Sequence, residues 1–199
     1  AKSRPGSNFI GVDYSLEMVN QGLELVGLAD LADRVNIFQA NLLEVHHELN
    51  INPRFDCIYT ERSLINLNSF EDQLATINNL WSLLCENGRL VLCESFNDGL
   101  DEINDYRAAL DLPAIKRPWH NRYLNVNELD RISDVLKTPH TIEEFSGSYY
   151  FVSRVLHAHE ASCLQKTPEY DAPINLISLN LPPLPVCGQA KLVIFEKKL

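Results

Sequence analysis

Apolar positions along this chain alternate between two rhythms. Short continuous runs, of the kind buried on both faces of a parallel sheet, give way to stretches where apolar residues return at helical spacing. Phe9, Ile10 and Val12 form the first run, which ends on Asp13. Leu16, Val19, Leu23 and Val26 then follow a helical period, and Ser15 stands where its hydroxyl can cap the first turn. Residues 28–34 read as a short helical connection, residues 35–39 as a second strand, and residues 40–43 as the turn beyond it. Residues 55–59 predict a third strand, and 60–68 the loop at its carboxyl end. Ser69 caps the next predicted helix, in which Glu71 and Asp72 complement the dipole and Leu74, Ile77, Trp81 and Leu84 make the apolar stripe. Asn87 and Gly88 read as that helix's left-handed end, before a strand over 89–96 built on Leu90, Val91 and Leu92.

From Asn97 the texture changes. Helices are predicted over 100–110 and 126–136, with a loop over 111–125 between them. Residues 149–156 alternate and are rich in aromatic and β-branched side chains, which predicts a strand. A short helix within 172–181 precedes the proline-rich stretch 182–185, and residues 191–196 make a final strand. The last two strands pair antiparallel, because no clean crossover helix joins them. The whole is α/β: a Rossmann-like, doubly wound, mostly parallel sheet with a C-terminal antiparallel strand pair and a helical and loop lid insertion. Residues 1–96 are expected to form a cofactor-binding core, 97–147 an acceptor-binding lid, and 148–199 the closing antiparallel strands.

Composition narrows the function classes. The chain has 199 residues, 45% of them hydrophobic, enough for one domain with a real core. A net charge of -10 argues against binding nucleic-acid phosphates. No apolar run reaches the ~20 residues that span a bilayer, and no signal-peptide pattern opens the sequence. Cys57, Cys85, Cys93, Cys163 and Cys187 have no paired spacing; Cys57 and Cys93 read as buried reduced thiols, which points to the cytoplasm. No metal is expected. His46 and His47 are adjacent and read as solvated, since i and i+1 diverge on a helix. His157 and His159 would face one side of a strand, but no further ligand stands at suitable spacing. Glu143, Glu144, Lys197 and Lys198 read as solvated charge.

At the carboxyl edge of an open α/β sheet, where nucleotides bind, a carboxylate such as Asp13 accepts hydrogen bonds from ribose hydroxyls. A solvated loop aspartate is the alternative from this stretch alone. Three stretches resemble the class I S-adenosylmethionine-dependent methyltransferases. Residues 10–18, Ile-Gly-Val-Asp-Tyr-Ser-Leu-Glu-Met, resemble that family's second strand, its ribose-binding acid and the start of the next helix. Residues 55–66, Phe-Asp-Cys-Ile-Tyr-Thr-Glu-Arg-Ser-Leu-Ile-Asn, resemble its fourth strand and the loop after it. Residues 83–94 resemble its helix end and fifth strand, with Cys85, Glu86 and Asn87 departing from the usual wording while Gly88 keeps the turn. The strand at 191–196 matches the family's closing hairpin. The family's first strand and Gly-rich loop have no counterpart in these residues. Residues 1–7 read as the last turn of the helix that follows that loop, so the chain is expected to begin inside the fold.

The resemblance implies S-adenosylmethionine as cofactor. Asp13 would hold the ribose, Tyr14 and Met18 would lie against the adenosine, Asn41 would meet the adenine amino group, and Leu42 would offer its N–H to the ring. Thr60 and the neighbouring Glu61 and Arg62 would stand near the methionine end and a small polar acceptor. Methyl transfer needs alignment and water exclusion more than a base. In the lid, the cluster Arg117-Pro-Trp-His-Asn-Arg-Tyr123 offers His120 as base or orienting donor, with Asn121 and Tyr123 as acceptor contacts. A surface loop anchored to the core by Trp119 is the alternative. Glu94 is placed to meet the acceptor or Arg62, or to make a structural ion pair. Two rival readings share the pattern: an NAD-dependent oxidoreductase or epimerase, which lacks a Tyr-xxx-Lys pair here, and a non-catalytic methyltransferase-like binding subunit.

Overall fold

Strand β1 (Phe9–Asp13) runs parallel to β2 (Val35–Gln39), in register from Phe9 opposite Val35 to Asp13 opposite Gln39. Helix α1 (Leu16–Leu28) links them. Residues 29–34 are turns rather than helix, with Asp30 in the left-handed region at φ 54°. The computed structural model describes residues 1–45 and 55–198, so His46 and His47 lie outside the described residues. The chain divides into two units, residues 1–53 and 54–199. The pair β1–β2 is the sheet of the first.

The second unit is built on β4 (Leu84–Ser95), which has β3 (Phe55–Glu61) parallel on one side and β6 (Ala190–Glu196) antiparallel on the other. Strand β5 (His140–Glu144) completes the order β3-β4-β6-β5 and runs antiparallel to β6. Leu84, Leu90 and Leu92 of β4 and Val193 and Phe195 of β6 are fully buried. Helix α2 (Phe70–Ser82) packs on β4 and against α4 (Glu128–Leu136); α3 (Asn97–Ala109) packs against a π-helical stretch, Phe151–Leu156. Helix α5 (Gly147–Tyr150) leads into that stretch, α6 (His157–Cys163) continues from it, and α7 (Pro173–Ser178) lies against it. The α/β class with its antiparallel closing pair is therefore present. No helix among the described residues is long and apolar enough to cross a membrane.

Three local expectations are corrected. Residues 149–156 are helical, and the partner of β6 is His140–Glu144. Buried Val152, Val155, Ala158 and Ala161 recur every three residues, a helical stripe that only a longer window exposes. As edge strand, β5 brings one apolar side chain, Ile142, and so leaves little pattern. Asn87 and Gly88 do not end a helix: α2 stops at Ser82, and both residues lie within β4 where the β3–β4 register shifts. Asn87 takes the left-handed conformation at φ 61°; Gly88 is needed for space, since a Cβ there would stand 2.9 Å from Cys85 O and 3.1 Å from Phe55 O. Cys57 is exposed rather than buried, because β3 is the edge of its sheet.

Gly99, on the first turn of α3, marks a close backbone approach. A Cβ there would lie 2.5 Å from the carbonyl of Gly188, just before β6. Backbone cannot swing aside as a flexible side chain can, so Gly99→Ala is expected to cost about 1–3 kcal/mol in urea unfolding. Gly27→Ala is the counterpart: nothing lies within 4 Å of a Cβ there, and it should stabilise α1 by about 0.5–1 kcal/mol.

Candidate functional site

In the first unit, the polar group at the strand tip is Asp13. Its Oδ1 accepts from Ser15 N at 2.8 Å, and Ser15 Oγ in turn accepts from Met18 N at 3.4 Å to cap α1. These two local bonds fix the turn and the carboxylate together. Asp13 Oδ2 has no partner among the described residues. The loop after β2 is held alongside: Ala40 N donates to Asp13 O at 3.0 Å, and Gln39 Nε2 to Tyr14 O at 3.1 Å. Asn41 Oδ1 accepts from Leu43 N at 3.1 Å, an Asx turn that leaves the Leu42 N–H without an acceptor among the described residues. Tyr14 is 77% exposed and Met18 53%. The first unit thus brings Asp13, Tyr14, Asn41 and Leu42 together, with Met18 on the adjoining helical turn.

Thr60, Arg62, Glu94, Asn121 and Tyr123 belong to the second unit, where Glu94 organises the end of the sheet. Its side chain is fully buried, and Oε1 accepts from Ser63 N and Leu64 N, both at 3.2 Å. Among the described residues Oε2 has no hydrogen-bond partner, and neither does the buried Thr60 Oγ1. Burial pushes the Glu94 carboxyl up to about 7; the nearby Thr60 hydroxyl and the N–H groups of Leu64, Ser63 and Ile65 pull the other way. The geometry therefore gives Glu94 a supporting task under the loop after β3. It makes no ion pair with Arg62, which is exposed, takes the left-handed conformation at φ 49°, and donates its own N–H to Cys93 O at 2.9 Å.

That loop carries the next segment. Arg122 N donates to Ile65 O at 2.7 Å, and Leu124 N to Ser95 O at 3.0 Å. Gln73, fully buried on α2, donates to Leu64 O and Arg122 O, each at 2.9 Å. The Arg122 guanidinium pairs with Glu128 on α4 and meets the Gln73 side-chain oxygen at 2.5 Å. Tyr123 is thereby buried with Ile65 and Leu100, Ile115 packing against all three. Asn121 is 8% exposed, and its Oδ1 has no partner. Gln73, Arg122 and Glu128 were not singled out from the sequence: Gln73 lies on a helix whose stripe reads as plain core, and Glu128 is one of many helical acids.

His120 stands at the tip of this segment, exposed and edge-on to Trp119 at 5.4 Å between ring centroids. Trp119 is 96% exposed, so it does not anchor the segment to the core; Tyr123 does. His157 and His159 fall on a helix, where neighbours two apart diverge. His157 Nδ1 lies 3.6 Å from Glu160 Oε2, and His159 Nε2 lies 3.6 Å from Cys163 Sγ. No cluster of metal-ligating side chains occurs among the described residues.

Comparison with known proteins gives the fold. No family model and no curated sequence matches the chain. Solved structures match over almost its full length. The S-adenosylmethionine-dependent methyltransferase SibL, in its apo form, is 14% identical, with a TM-score of 0.58 over 100% of this chain and 46% of SibL. The cyclase SpnF is 14% identical, with a TM-score of 0.59 over 97% of this chain and 67% of SpnF. A geranyl diphosphate methyltransferase, solved with GPP and sinefungin, is 11% identical, with a TM-score of 0.56 over 99% of this chain and 66% of that one. This chain therefore spans less than half of SibL and about two thirds of the other two. The fold it carries is that of the class I S-adenosylmethionine-dependent methyltransferases.

The support under the loop has a pH signature. Between the ordinary value of 4.5 and about 7, folded Glu94 keeps a proton that the unfolded chain has released. Its stabilising contribution is therefore full below the lower value and falls as pH rises through that window, by up to about 3 kcal/mol. Glu94→Gln keeps an acceptor for Ser63 and Leu64 and removes the titration. Its stability relative to wild type is expected to improve by roughly 1–3 kcal/mol between about pH 5 and pH 8 in urea unfolding. A difference that stays flat with pH would refute the assignment. Glu94→Ala strands both N–H groups and should destabilise at either pH, by about 1–3 kcal/mol.

Proposed function

We propose that this chain, carrying the class I methyltransferase fold, binds S-adenosylmethionine through its first unit and methylates a small polar acceptor held by its second. The single observation behind this reading is Asp13. It ends a parallel strand, one oxygen is fixed by the Ser15 N–H, and the other is open. A vicinal diol presents two donors to such a carboxylate, and charge-assisted hydrogen bonds of this type are the strong ones. The residues around Asp13 fit the rest of an adenosine. Tyr14 and Met18 present exposed apolar surface, and the Leu42 N–H has no protein acceptor among the described residues. The bound cofactor would supply an already activated methyl group on a sulfonium.

The chain's own task is then to hold and orient. Asp13 would bind the ribose, Tyr14 and Met18 would cover the adenosine, and Asn41 and Leu42 would meet the base. On the acceptor side, buried Glu94 and Thr60 would fix the loop that bears Arg62, and Asn121 and Tyr123 would shape the acceptor surface from the segment after β4. His120 is exposed and makes no side-chain hydrogen bond, so a nucleophile that needs its proton removed would reach it without prior rearrangement. The SpnF match, a cyclase, supports one alternative, a chain of this fold whose reaction is not methyl transfer.

Calorimetric titration of the full chain with S-adenosylmethionine, with NAD in parallel, tests the reading. Asp13→Ala should weaken binding roughly 10–100-fold, since a charge-assisted hydrogen bond is worth about 1.5–3 kcal/mol. Unchanged affinity in that variant, or preference for NAD, would sink it. Radiolabelled methyl transfer separates the cyclase-like alternative, in which no acceptor is labelled.

A further inference from the structure

The described arginines of the second unit divide into two sets. Arg89, Arg122 and Arg131 each stand within 4 Å of a carboxylate, on Glu196, Glu128 and Glu71. Arg62, Arg107, Arg117 and Arg154 have no such partner among the described residues, in a chain whose net charge is -10. These four are neighbours rather than scattered. Arg117 lies over the Tyr123 ring at 5.9 Å, and its Nη1 reaches only the neutral Asn97 Oδ1 at 3.3 Å. Ile115 packs against two buried clusters, one that includes Tyr123 and one, of Ile103, Val155 and Cys187, against which Tyr150 also packs. The bond from Arg122 N to Ile65 O brings the Arg62 loop against the same segment. Arg154 is four residues beyond Tyr150, within the π-helical stretch, an irregularity that recurs at functional sites. Arg107 donates to the backbone oxygens of Pro113 and Arg154, so its charge too goes uncompensated.

Electrostatics tells the same story. Burial raises the Tyr150 phenol, and the charges of Arg62 and Arg154 both pull it back down. Burial lowers Arg107, and the like charge of Arg154 lowers it further. Two like charges brought together without a carboxylate repel, and an anion beside them relieves that repulsion.

We propose that Arg62, Arg154 and Arg117, ranged around Tyr123 and Tyr150, form a binding site for the carboxylate or phosphate group of a small anionic acceptor. The fork of a guanidinium matches either oxyanion, and its pairing there is bidentate. Arg62 and Arg154 supply the charge, Tyr150 a hydroxyl donor, and Arg107 stands behind Arg154 to keep the local potential positive. The inference rests on the methyl-transfer reading only for what happens to the anion once bound.

The test is titration of the full chain, without cofactor, by malonate, by inorganic phosphate and by neutral malonamide. At least one anion is expected to bind and malonamide not; which anion binds separates the two sources. Arg62→Gln and Arg154→Gln should each weaken that binding roughly tenfold, while Arg89→Gln, on a guanidinium already paired with Glu196, should leave it unchanged. All three arginines are exposed, so the folds should survive, with circular dichroism as the check. Absence of binding by both anions, equal binding of malonamide, or insensitivity to Arg62→Gln and Arg154→Gln would overturn the site. Loss of S-adenosylmethionine binding with anion binding intact would overturn the methyl-transfer reading and leave this site standing.

Discussion

A carboxyl group with no exposed surface sets the geometry of the second unit's working end. Glu94 Oε1 accepts two consecutive backbone N–H groups at the start of the loop after β3, which decides where that loop leaves the sheet. Everything beyond is referred to the loop. Ile65 O receives Arg122 N, Leu64 O and Arg122 O share the Gln73 amide, and Tyr123 is buried against Ile65. A hydrogen bond is worth little net, but a buried N–H left without one is expensive. The chain of bonds is therefore held by the penalty for breaking it. That also explains why a carboxyl raised to about 7 is tolerated there: either protonation state leaves Oε1 able to accept.

Much of this was legible in the sequence, and the reason is local. β1, α1 and β2 and the start of α2 lie within a residue or two of their expected positions, because each follows an apolar period and both helices open on a cap that acts over three residues. Ser15 and Ser69 both accept from the N–H three residues on, at 3.4 and 3.0 Å. Asp13 was readable for the same reason: its place at the strand end follows from the residues on either side. The segment 149–156 was not readable, since eight residues rich in aromatic and β-branched side chains fit either period, and burial against α3 rather than a strand partner decided it. β5 was missed because an edge strand with one inward apolar residue carries almost no signal.

The candidate site divides along the same line. Positions that depend on a strand end are legible in the sequence; positions that depend on contacts across tens of residues are not. Gln73 reaches Arg122 across 49 residues, and nothing near Gln73 announces it. For Glu94 the sequence shows that a carboxylate stands at the end of β4 and cannot show that it turns inward to backbone N–H groups rather than to Arg62. Trp119 was misread in the opposite sense. A tryptophan in a loop suggests an anchor, yet here Tyr123 takes that place and leaves Trp119 in solvent.

Fold and chemistry then separate on physical grounds. Structures matched at 11–14% identity share a backbone path with this chain, and one of them is a cyclase, so the path alone does not choose a reaction. What chooses is charge at particular points. An acidic chain repels anions in general, so guanidiniums left without carboxylates make a local exception in its field, and no ion pair among the described residues accounts for them. Arg89 shows that the same chain pairs a guanidinium with a carboxylate at 2.9 Å where only structure is at stake. The contrast between Arg89 and the Arg62–Arg154 group therefore says more about the acceptor than the fold does: the proposed small polar acceptor is narrowed to one that brings its own negative charge.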